Sequence, residues 1–212
     1  DAKIELRAGI PGTVVEVIAG RGAVIQTAGA LIQGVWGNGR IESGLRVNIA
    51  EKPDGVLTAS RIDVSLRGSI LLAGMVKDAD ALQAAAELPV RGLILSSLYP
   101  SLIPVAREMR YPIMVTDGFG PLPMNSAAYR LLSTNAKREV TLNAEAFNRY
   151  TGTRPEIIIP LPTSSEPPAS PSSQVFAPGL QVRMRRPPAM GAIGSIVILK
   201  PGLTTLPRGL RA

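Results

Sequence analysis

The chain has 212 residues, 45% of them apolar and 18% charged, with 23 basic against 16 acidic side chains and a formal net charge of +7. It contains neither cysteine nor histidine, which excludes disulfides, Cys/His zinc sites, Cys-His and Ser-His-Asp nucleophiles and a histidine general base. No apolar run approaches the roughly 18 residues of a membrane-spanning helix, so a soluble, cytoplasmic protein with no membrane partner is expected.

The excess of positive charge is local. Residues 1–74 carry eight basic and seven acidic groups, residues 75–159 nine and eight, and residues 160–212 six and one. A basic field confined to one end of a chain draws phosphate polyanions or acidic protein surfaces. The length exceeds what one core needs, at roughly 100 to 200 residues per domain.

Residues 1–68 read as a β-rich module, because "KIELRA", "GTVVEVI" and "GAVIQT" are short apolar stretches separated by glycine-containing turns. Their spacing resembles the barrel-sandwich modules of the biotinyl and lipoyl carrier kind, which implies a small β barrel or sandwich. No lysine sits on a hairpin beside methionine, so the carrier-lysine role does not follow. "GNGRIESG", residues 37–44, has the glycines of a nucleotide loop but stands in a β-rich context with no helix after it. Trp36, the single tryptophan, reads as packing.

The pattern changes at Ser69. "SILLAGMV" is a buried-strand run, and "DADALQAAAEL" after it has Asp78 as helix cap and Pro89 as its stop. "RGLILSS" is a second strand, followed by Leu102, Val105, Ala106 and Met109 at helical spacing. "YPIMVTDGFG" is a third, followed by Met124, Ala127, Ala128 and Leu131 at the same spacing, and "REVTL" is a fourth. Strands alternating with helices predict a parallel sheet covered on both faces. The expected fold class is therefore α/β plus all-β: a central three-layer βαβαβαβ domain over 69–160, with a returning strand at 155–160. Residues 161–174 include "PTSSEPPASPSSQ", a Pro/Ser-rich linker composition, and 175–212 form a C-terminal β module.

In that last segment Val182 and Met184 alternate with Arg183 and Arg185, and a loop leads to Gly191, Gly194 and Ile196. The arrangement resembles the KOW motif of SH3-like barrels in ribosomal proteins and transcription elongation factors. The resemblance implies an SH3-like segment whose closing strands lie beyond Ala212, and contact with nucleic acid or a protein partner. Pro187 and Pro188 depart from the family pattern by stiffening the loop. On a strand over 181–186, Arg183 and Arg185 share one face and Arg186 begins the turn beside them, a spacing suited to phosphates.

A second site candidate lies at the carboxyl ends of the predicted parallel strands, where ligands of open α/β sheets bind. It gathers Ser97, Thr116, Asp117, Gly118 and Gly120, with Lys77 and Tyr99 as auxiliaries. The competing reading is a turn: Asp117 braces it, the glycines permit it, and Pro121 and Pro123 lead into the helix. No Walker or G-x-G-x-x-G pattern is present, and no spacing announces a catalytic residue, a metal or a cofactor. Two functions remain. One is a non-enzymatic binding or scaffold protein using the C-terminal arginines; the other is a small-molecule binder or enzyme built around Asp117.

Overall fold

A computed structural model describes residues 8–148, 150–161, 175–184 and 193–200, the side chain of Arg183 excepted. The chain divides into two compact units, Asp1–Ser165 and Glu166–Ala212.

The first unit opens with a hairpin, β1 (Thr13–Ile18) and β2 (Gly22–Gln26), which forms a two-stranded sheet of its own. Its turn passes through Gly20 at φ +68°, the left-handed region that glycine enters without a Cβ clash. The hairpin bulges between Val14 and Glu16. Then follow β3 (Gly29–Gln33), β4 (Trp36–Gly37), β5 (Ile41–Asn48), β6 (Val56–Leu57), β7 (Ile70–Leu72) and β8 (Met75–Val76). The remaining elements are α1 (Ala79–Glu87), β9 (Gly92–Leu98), α2 (Ile103–Glu108), β10 (Ile113–Phe119), α3 (Ser126–Thr134), β11 (Glu139–Asn143) and β12 (Glu156–Pro160).

Local chemistry sets the helix starts. The Asp78 carboxylate accepts from the Ala81 amide at 3.3 Å, and the Asn125 side chain accepts from the Ala128 amide at 2.9 Å. Each satisfies one of the amides that a first helical turn leaves unpaired.

Strands β3 to β12 belong to one ten-stranded, mixed sheet ordered β3-β12-β11-β5-β7-β9-β10-β4, with β6 and β8 pairing beside that path. Strands β5, β7, β9 and β10 run parallel; β3, β12 and β11 are antiparallel neighbours reaching β5, and β4 is antiparallel to β10. The path returns to its own start, because β3 and β4 are consecutive pieces of one stretch. Gly34 donates to Pro155 O at 2.7 Å and Val35 to Val115 O at 2.8 Å, so the partner changes within two residues. A Cβ at Gly34 would lie 2.7 Å from Val115 O and from the Met114 methyl, which is why only glycine passes there.

The alternation along the parallel strands divides the core in two. Leu71, Leu93, Leu95, Ile113 and Val115 pack against Ala81, Leu82 and Ala85 of α1 and Ala106 of α2. Ile70, Leu72, Ile94 and Met114 pack against Ala128 and Leu132 of α3, and against Val140, Leu142, Ile157, Ile159 and Ile32 of the antiparallel strands. Every residue of β9 is buried, as a strand covered on both faces requires.

The mixed α/β character expected from the sequence is present, but two finer expectations change. The segment "REVTL" is not a fourth parallel strand: β11 lies antiparallel between β12 and β5, away from β10. The second face of the parallel strands is accordingly covered by α3 together with antiparallel strands, not by helices alone. The sheet also runs through the boundary expected at residue 68, since β3, β4 and β5 pair with β12, β10, β11 and β7. The alternation that marks a half-buried strand says nothing of which strand lies beside it.

In the second unit, β13 (Gln181–Arg183) pairs antiparallel with β14 (Ile193–Ser195), with Val182 opposite Gly194. The ladder continues through Ile196 N to Leu180 O at 2.9 Å and Gly179 N to Ile196 O at 2.7 Å. The linker expected at 161–174 lies outside the described residues except for Leu161.

Candidate functional site

The strand-end residues do come together. β9 and β10 are parallel with Ser97 in register with Gly118, across an irregularity between Val115 and Gly118. Their polar groups, however, are engaged within the protein. The Thr116 hydroxyl lies 2.7 Å from Asp117 Oδ2 and 3.1 Å from Leu95 O. Asp117 Oδ2 also accepts from the amide of Asn125, the residue that caps α3, at 3.1 Å. Ser97 Oγ accepts from the Leu122 amide at 3.3 Å. Gly118 at φ +145° and Gly120 at φ +94° adopt backbone that other residues avoid, and Gly120 N donates to Leu98 O at 3.1 Å. Asp117 thus ties the end of β10 to the start of α3, and the glycines let the chain turn between them.

The segment 50–57 lies across the same strand ends. Pro53 O accepts from the Met124 amide at 2.9 Å, Gly55 O from the Met75 amide at 2.7 Å, and Ala50 O from the Tyr129 hydroxyl at 3.0 Å. Gly74 presses so closely on Gly55 that a Cβ there would overlap the Gly55 carbonyl. Ser96, Ser97 and Thr116 are buried, and the Ser96 hydroxyl has no hydrogen-bond partner among the described residues.

The arginine candidates are distributed differently. Arg183 stands in β13, while Arg185 and Arg186 lie outside the described residues, as does Gly191. Met184 and Ile193, the described residues on either side of them in sequence, are both exposed.

A third place is a concavity of about 460 Å³ lined by Trp36, Asn38, Arg107 and Phe147 among others. Asn38 holds two of its walls together: its amide donates to Ala106 O at 3.1 Å and Tyr111 O at 2.9 Å and its carbonyl accepts from Ile113 N at 3.0 Å. The third wall is held by a reciprocal backbone pair, Gly39 N to Ala144 O at 2.7 Å and Ala144 N to Arg40 O at 2.8 Å. Trp36 packs edge-on against Phe119, with ring centroids 6.4 Å apart at 72°. The Arg154 guanidinium stands 5.2 Å from the centre of the Phe147 ring. A single tryptophan within a glycine-bounded stretch was the available signal, but its companions come from distant segments.

Among the described residues no group of three or more acidic side chains gathers as a metal site would require, and no helix is long and apolar enough to cross a membrane. Compared with protein-family models, with curated proteins and with solved structures, the chain matches none.

Proposed function

We propose that this chain is a non-enzymatic binding or scaffold protein whose C-terminal hairpin contacts nucleic acid through Arg183, Arg185 and Arg186. The observation that carries the reading is the concentration of charge: six basic residues against one acidic over 160–212, in a chain otherwise nearly balanced. The antiparallel pairing of β13, which contains Arg183, with β14 supports it, because a paired-strand segment is what the KOW resemblance implies. Guanidinium groups suit phosphate oxygens, which they bind in a planar, two-pronged manner. The KOW resemblance points the same way.

The alternative is a small-molecule site around Asp117; there the side chains of Ser97, Thr116 and Asp117 hold hydrogen bonds within the chain, while the buried Ser96 hydroxyl has no hydrogen-bond partner among the described residues.

The test is the salt dependence of binding to single- and double-stranded RNA and DNA. Each phosphate contact releases counterions, so affinity should fall steeply between about 50 and 200 mM salt. Replacing the three arginines by alanine should flatten the slope of log K against log salt by roughly two to three. Wild-type protein that binds no polynucleotide in a salt-sensitive way would reject the nucleic-acid role and leave an acidic protein surface as the partner to seek.

A further inference from the structure

We propose that the concavity beside Trp36 is a preformed site for a planar aromatic anion of nucleotide type, separate from the C-terminal arginines. Its size, about 460 Å³, lies within the range of small-molecule sites. Two aromatic rings line it, and Phe147 is half exposed there, an arrangement in which apolar surface stands ready to be covered by a flat partner. Arg107 also lines it, while no carboxylate does. Arg154, against the Phe147 ring, adds a second cation beside the wall. A ring that stacks and a charge that is negative are the two features such a lining selects, because the aromatic faces accept any π system and the guanidinium pairs with phosphate or carboxylate oxygens.

The walls are rigid for a stated reason. Residues 36–39, the α2 segment that bears Arg107 and the 144–147 segment that bears Phe147 are joined by the bonds of Asn38 and Gly39. Gly37 is required for that closure, since a Cβ there would overlap the Ala144 carbonyl. Asn38 spends its amide and carbonyl on these bonds and so belongs to the frame. Discrimination therefore falls to Trp36, Phe147 and Arg107. A site whose groups are held before the ligand arrives loses little entropy on binding.

The single tryptophan makes the test direct, because its emission reports on this cleft alone. Full-length protein titrated with adenosine monophosphate should show a saturable change in tryptophan emission, with adenosine bound about tenfold more weakly and inorganic phosphate producing no change. Arg107→Gln should weaken adenosine monophosphate about tenfold. Phe147→Leu should weaken adenosine and its monophosphate alike. The variant with Arg183, Arg185 and Arg186 replaced by alanine should titrate as the wild type does, so this result and the polynucleotide result stand or fall separately. Equilibrium dialysis with labelled adenosine monophosphate detects binding that leaves the emission unmoved. Absence of saturable binding by both methods, or equal affinity of wild type and Arg107→Gln, would overturn the assignment.

Discussion

Arg46 is the residue that ordinary packing rules account for least. It stands in β5 in register with Ile70 of β7 and is fully buried. One nitrogen bonds the Asn48 side chain, while Nε and Nη2 have no hydrogen-bond partner among the described residues. Burial pushes its guanidinium down to about 10 from an ordinary 12.5, because a cation removed from water without a counter-ion is strongly disfavoured. At neutral pH it nevertheless stays charged, with two of its three nitrogens unpartnered among the described residues. Arg46→Met, which keeps the length of the stem, is expected to raise the unfolding free energy by about 2 kcal/mol. A higher urea midpoint at unchanged slope would show it; a lower one would mean that the charge has a partner after all.

At the scale of elements, the connection between β7 and β8 controls whether segment 50–57 can seal the strand ends. Gly74 and Gly55 meet backbone to backbone, and the Met75 amide is satisfied by Gly55 O. Gly74→Ala should therefore push the two strands apart, at a cost of about 3 kcal/mol, the upper end of what a forced shift in a packed interior produces. Hydrogen exchange should locate the damage at Met75 and Met124, whose amides bond the covering segment, before it reaches β9. The same element explains why the Asp117 stretch reads ambiguously in sequence. An acid, two glycines and two prolines suit a cradle and a turn equally, and what separates them is a segment some sixty residues earlier in the chain that lies over them.

For the whole molecule, the closed path of the sheet makes residues 29–160 interdependent. β5 joins the antiparallel strands to the parallel ones, and the 29–37 stretch joins both ends. A fragment spanning 69–160 lacks both, so it should show no cooperative transition by circular dichroism in urea, whereas 8–161 should show one. A cooperative transition in the shorter fragment would mean that the middle is self-sufficient. The apolar runs, the helical spacings and the cap Asp78 were legible from residues alone, because periodicity and capping act between neighbours a few positions apart; the Asn125 cap was not, since Pro121 and Pro123 read as the start of that helix. So were the lack of histidine and cysteine chemistry and the basic C-terminal end. The antiparallel placement of β11, the return of the sheet to 29–37, the burial of Arg46 and the meeting of Trp36, Arg107 and Phe147 were decided only in three dimensions. A strand's backbone offers the same donors and acceptors to any neighbour, so its partner and direction are selected by how the whole set of apolar faces can be covered at once.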